Sequence, residues 1–203
     1  MKVMEISASK GGVGVTSTVC ATAGIASEWG KVLVMDLADN KDTPSCMGAP
    51  QFDSIVPNDG SFVQVNDTLT LFRPWYETRT VAGAIVIPSG NWDTVIIDAG
   101  TTGQQDTYLY EGEEMLVERV VCVTNCYMAL RNTIKDMKAD LLVLMYDSSR
   151  VLTIRDVEAI TGKTAIVNEK NEKMPRAIDA GVILDRKEVY GEWARKLLSG
   201  VGV

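Results

Sequence analysis

One stretch constrains this chain more than any other: Ser9-Lys10-Gly11-Gly12-Val13-Gly14-Val15-Thr16-Ser17. An extended, β-branched run from Lys2 to Ala8 leads into it, and a run with helical character from Val15 to about Trp29 leads out. Strand, glycine-rich turn and helix N-terminus in that order make a cradle for an anion. Glycines let the backbone approach closely, and the first N–H groups of a helix have no acceptor of their own. The helix dipole adds partial positive charge at the same point, which suits phosphate. Thr16 stands where a hydroxyl can hold Mg²⁺.

The general phosphate-loop pattern ends in Gly-Lys-Ser/Thr, but here Gly14 is followed by Val15. The lysine that would reach the β- and γ-phosphates is absent. A different lysine, Lys10, stands at the front of the loop. Lys-Gly-Gly-x-Gly-x-Thr resembles the deviant Walker-A loop of the ParA/MinD family of ATPases, which reads Lys-Gly-Gly-Val-Gly-Lys-Thr. The resemblance implies that Lys10 matches the family's signature lysine and that the ordinary lysine is lost at Val15. It also implies that Lys10, Gly11, Gly12, Val13, Gly14, Val15, Thr16 and Ser17 bind nucleotide. A glycine-rich turn that binds nothing is the bland alternative, and two further motifs downstream weigh against it.

At 203 residues the chain is expected to form a single domain over 1–203 with a sizeable core. No apolar run reaches the roughly 18 residues of a membrane span, and the first strand starts at once, so no signal peptide is expected. Cys20, Cys46, Cys122 and Cys126 are sparse and unpatterned, which fits a reducing, cytoplasmic setting. There is no histidine, which excludes histidine catalysis and histidine-ligated metal. The net charge of −7 is uneven. Residues 1–149 hold 10 Lys+Arg against 19 Asp+Glu, and residues 150–203 hold 10 against 8. A solvated surface and a weak DNA-binding face both fit that skew.

Beyond the first helix, with Gly30 as its closing residue, Lys31–Asp36 reads as a buried parallel strand ending in a carboxylate. Leu37–Gly60 reads as loop with room for a short helix. Asp67–Arg73 reads as a strand, and Thr80–Ile87 fits either strand or helix. Asp93-Thr-Val-Ile-Ile-Asp98 followed by a Gly/Thr loop has the form of a Walker-B strand. Gln104–Glu118 is expected to be a helix, Arg119–Thr124 a strand, Tyr127–Lys138 a helix and Leu141–Tyr146 a strand. Thr153 caps a helix ending at Gly162, Thr164–Val167 is a short strand, and Pro175 opens a helix at Arg176–Ala180. Lys187–Leu198 forms the last helix. This alternation predicts an α/β fold with a doubly wound, mostly parallel sheet flanked by helices.

The resemblance assigns further roles. Asp36 matches the strand-tip aspartate that orients the attacking water, and Asp39 lies one residue too far on to match the family's second carboxylate. Asp98 and Thr16 would hold Mg²⁺, an oxygen-only pair that this ion prefers. Lys10 would reach the partner's nucleotide across a face-to-face homodimer, stabilising transferred charge in trans. For the base, Tyr146, Asn168–Glu169 and the Arg176–Gly181 region are candidates. Cys122 and Cys126 are read as buried structural thiols rather than ligands. Tyr190, Trp193 and Leu197 form one stripe of the last helix, read as docking on the core, so no stable membrane association is expected. Without an N-terminal extension the chain resembles the short form of ParA. It would bind ATP and Mg²⁺, dimerise, bind DNA without sequence preference, respond to a ParB-like adaptor, and serve plasmid partition or cargo positioning. The alternative is a pseudo-ATPase scaffold, for which Val15 is the motivation. A metabolic enzyme of the phosphate-loop class lacks any visible substrate constellation.

Overall fold

The computed structural model describes residues 1–39, 42–49, 61–74, 84–101, 107–136, 138–170 and 172–203. In chain order the first half contains β1 (Lys2–Ser7), α1 (Val15–Ala26), β2 (Val32–Asp36), α2 (Thr43–Cys46), β3 (Ser61–Gln64), β4 (Leu69–Arg73), β5 (Ile85–Ile87) and β6 (Thr94–Gly100). Then come β7 (Tyr108–Tyr110), β8 (Glu113–Glu114), β9 (Glu118–Thr124), α3 (Tyr127–Asp136), β10 (Leu141–Tyr146), α4 (Ile154–Thr161), β11 (Ala165–Glu169), α5 (Lys173–Asp179) and α6 (Lys187–Gly200). A 3₁₀ turn, Ile183–Asp185, precedes α6.

Eight strands form one sheet in the order β11-β10-β9-β1-β6-β2-β4-β3, parallel throughout except for the antiparallel β3–β4 pair at one edge. The expected doubly wound, mostly parallel sheet is what the chain adopts. Its strands are continuous apolar runs because both faces are covered. Val34, Ile96, Val120 and Val143 face one side and pack against α1 and α6, where Tyr190, Trp193 and Leu197 are buried. The stripe on the last helix therefore docks on the core. On the other face, Leu33, Met35, Val95 and Ile97 meet Ile85, Ile87 and Tyr108 of a small second sheet, β5-β7-β8. Further along that face, Val121, Leu142 and Leu144 meet Leu130 of α3 and Val157 of α4.

The helix expected over Gln104–Glu118 is corrected: its described part is the β7–β8 hairpin. Glu111 (φ 52) and Gly112 (φ 86) sit in the left-handed region at the tip, which reverses the chain. Tyr108 is buried beneath and donates its hydroxyl to the buried Glu5 carboxylate at 2.7 Å, with Arg119 on the other side of Glu5. Residues 102–106, like 80–83 of the ambiguous Thr80–Ile87 stretch, lie outside the described residues; 85–87 is strand.

Several boundaries also differ. α1 ends at Ala26 and Gly30 does not close it; a side chain at Gly30 would run into Asp93, whose carboxylate accepts from the Lys31 N–H at 2.8 Å. α5 starts at Lys173, so Pro175 lies inside its first turn rather than before it, where its missing N–H is still harmless. β3 had no clear signal in the sequence.

Candidate functional site

All the strand tips of the parallel sheet point the same way, and the loops beyond them build the site. β1 ends at Ser7, and the chain turns through Lys10–Gly14 into α1. Gly12 (φ 75) and Gly14 (φ 83) take left-handed conformations that a side chain disfavours, and Gly14 is the N-cap of α1. The Thr18 N–H returns to the Gly14 carbonyl at 2.9 Å, starting the helix. The first N–H groups of a helix have no acceptor within it, which makes this end of α1 suited to an anion. A cavity of about 490 Å³ opens over this turn, lined by every residue from Lys10 to Ser17 and walled by Ala38, Asp42, Gly100 and Ile178.

A second chamber of about 320 Å³ shares Gly12–Gly14, Ser17, Pro175 and Ile178 with the first. Its walls are Met145 and Met174, and its rim carries Asp147, Arg150, Asn168 and Lys170. Apolar walls with a polar rim suit a heterocycle that stacks on one and hydrogen-bonds to the other. Asn168 and Glu169 line this chamber, whereas Tyr146 packs on the far face of the sheet. Asp147 accepts from the Ser149 hydroxyl and N–H and from Lys170, which hold its carboxyl well below the usual range. Buried Asn125 fixes this loop. It donates to the carbonyls of Asp147 and Leu152, both at 2.9 Å, and accepts from the Asp147 N–H.

The two strand-tip carboxylates meet. Asp36 and Asp98 are direct register partners on β2 and β6, and both are fully buried. Asp98 accepts from the Gly100 N–H at 3.0 Å and the Thr43 hydroxyl at 3.1 Å, and Thr16 hydrogen-bonds to it as well. Burial, and then the Asp36 charge, push its carboxyl up to about 6. Asp36 accepts from the Ala38 N–H at 3.2 Å and forms an ion pair with Arg73 at the end of β4. Thr16 lines the cavity and touches Asp98, so an oxygen-only pair stands below the cradle, which fits Mg²⁺ together with phosphate oxygens and water.

Lys10 is exposed at the rim, while Val15 is buried in the core. Asp39 is exposed in the cavity wall. Of the thiols, Cys122 is buried, but Cys126 is half-exposed before α3, contrary to expectation. The backbone N–H groups of Ala129 and Met128 lower its pKa, aided by Arg150 and Lys10. Cys20 and Cys46 face each other beneath the cavity. Sequence reasoning missed Arg73, Thr43 and Asn125. A charged residue ending a strand was the only local hint of the first, and the other two carry none. The basic C-terminal region is largely neutralised: Arg176, Arg186 and Lys196 pair with Glu172, Glu188 and Glu192, and Lys187 and Arg195 both pair with Glu28.

No protein-family model matches the sequence, and no curated protein matches it either. Solved structures do match the fold. The MinC:MinD cell division complex of Aquifex aeolicus superposes with a TM-score of 0.70 at 17% identity, covering 98% of this chain and 96% of the other. The septum site-determining protein MinD with Mg-ADP from Pyrococcus horikoshii gives 0.65 at 13% identity, covering 99% and 97%. A ParA family ATPase from Chlorobium tepidum gives 0.61 at 12% identity, covering 97% and 98%. At these identities the likeness is one of architecture, and with the cradle at the tip of β1 and the carboxylates at the tips of β2 and β6, the chain has the ParA/MinD-type fold.

Proposed function

We propose that this chain is a ParA-like positioning or partition protein that binds ATP with Mg²⁺ and turns it over very slowly or not at all. One observation carries the reading: the Lys10–Ser17 turn lines a cavity with Thr16 set against buried Asp98 beneath it. Lys10 through Ser17 hold the phosphates, Thr16 and Asp98 hold the metal, and Asp36 is the water-orienting carboxylate. The Mg-ADP bound in the Pyrococcus MinD of the same fold supports the ligand class. Loss of the lysine at position 15 removes a charge-assisted contact that strengthens as phosphoryl charge develops, and one such contact is typically worth about 10²–10³ in rate.

Nucleotide-promoted homodimerisation through Lys10 belongs to the same proposal. Tyr127, Met128 and Val151 support it: they are 58%, 61% and 94% exposed, and they flank Cys126 and Arg150 beside Lys10. Such a rim would be covered by a second copy. Non-specific DNA binding and a ParB-like adaptor complete the partition reading, with the ion-paired C-terminal region making the DNA contact weak and salt-sensitive. Among the described residues no helix is long and apolar enough to cross a membrane.

A second reading, a scaffold that binds nucleotide without turnover, is favoured by the Asp36–Arg73 pair, which occupies the water-orienting carboxylate. Calorimetric titration of ATP with and without Mg²⁺, beside a phosphate-release assay, tests both. Mg²⁺-dependent binding lost in Thr16→Ala is expected, with little release. Brisk release would mean the missing charge is fully replaced, and no binding at millimolar ATP would sink the nucleotide reading.

A further inference from the structure

Asp36 and Asp98 are register partners, and neither side chain reaches solvent. Buried like charges side by side require a counter-charge or a proton. In an ordinary phosphate loop the lysine at the start of the helix brings a cation to this neighbourhood. Here that position is Val15, the first residue of α1, buried in the core. The cavity lined by Val15 is also lined by Ala38 and Gly100, each two residues beyond one of the carboxylates. Positive charge comes instead from a neighbouring strand. β4 pairs with β2, and Arg73 at its end sets its guanidinium on the Asp36 carboxylate. The Arg73 side chain is 18% exposed, so water screens the pair little.

We infer that Arg73 is, among the described residues, a resident cation of this site, standing in for the lysine that position 15 lacks, and that by holding Asp36 it withdraws that carboxylate from a water nucleophile. The first half concerns charge balance in the ligand-free protein; the second rests on the nucleotide reading above. Arg73 is a positioning residue, acting through Asp36 rather than on a phosphate.

A double-mutant cycle read by thermal unfolding without ligand tests the exchange. Arg73→Gln takes a cation from a buried carboxylate and lowers the midpoint by about 5–10 °C, while Arg73→Lys lowers it less. Val15→Lys inserts a charge at the buried start of α1, yet it costs less in the Arg73→Gln background than in the wild type, and the double variant melts several degrees above the sum of the two losses. If Arg73→Gln alone does not fold, recovery of folded protein on adding Val15→Lys is the same readout. A phosphate-release assay with Mg-ATP follows, in which the double variant turns over at least tenfold faster than Val15→Lys alone. Strictly additive midpoints overturn the charge exchange, whatever the nucleotide does. A positive cycle with no nucleotide binding in any variant leaves the exchange standing and removes the nucleotide reading instead. A positive cycle with binding but equal turnover in the two lysine variants overturns the withdrawal of Asp36.

Discussion

Single residues in this site are set by burial more than by local preference. Asp98 shows it most directly. Its pKa in the fold, about 6, lies above the ordinary 3.8, so the folded state binds the proton more tightly than the unfolded one. The protonated form thus contributes stability that is fully present below about pH 4 and is lost as pH rises through 6. Asp98→Asn, neutral at every pH, is expected to raise the midpoint of the ligand-free protein at pH 7.5. A pKa rise of that size corresponds to about 2–3 kcal/mol. The gain shrinks toward pH 5, and Mg²⁺-dependent nucleotide affinity falls in the same variant; a midpoint gain independent of pH would mean that the buried charge is not its source. The cradle glycines give a second prediction. Gly12→Ala and Gly14→Ala each force a left-handed alanine, at about 1–2 kcal/mol. A β-carbon at Gly14 also runs into Met145 Cε, whose flexible end must move into the second chamber. Gly14→Ala should therefore weaken base binding where Gly12→Ala, with open space around it, should not; nucleoside titration separates them.

Secondary-structure elements were legible in the sequence where their chemistry is local. The glycine turn, the apolar runs ending at Asp36 and Asp98, and the Thr153 cap with Asp156 answering it three residues on all carry their own signal. The Gln104–Glu118 stretch shows the opposite case. Its polar residues suggest a helix, but Tyr108 finds its partner on β1, Glu5, more than a hundred residues earlier, and no local pattern reveals that. Arg73, Thr43 and Asn125 escaped for the same reason: each becomes a site residue only when strands or helices distant in sequence pair. Asn125 is the most exacting of them, since its amide holds three backbone groups of the 147–152 turn. Asn125→Leu should strand those groups and cost about 2–4 kcal/mol, with faster amide exchange confined largely to that turn. Uniform exchange across the sheet would instead mean the residue is only a core filler.

At the scale of the whole molecule, the rim beside Lys10 predicts assembly. Lys10→Ala should weaken any ATP-promoted dimer seen by light scattering while leaving the midpoint of the monomer largely unchanged, because the lysine is exposed. Equal dimerisation in both proteins would remove Lys10 from the interface. One last feature reaches across the entire sheet. At the ends of the strands opposite the site, Asp93 ties three strands together: its carbonyl takes the Lys2 N–H, and its own N–H and carboxylate clasp Lys31. From that clasp Val32 pairs with Thr94, and by the same count of residues Asp36 comes level with Asp98. The two strands thus act as a ruler whose zero mark lies on the far side of the protein. A deletion of one residue between Gly30 and Asp36 would leave every loop of the site intact and still put its carboxylates out of step. This chain can vary the loops that bind, but not the spacing that leads to them.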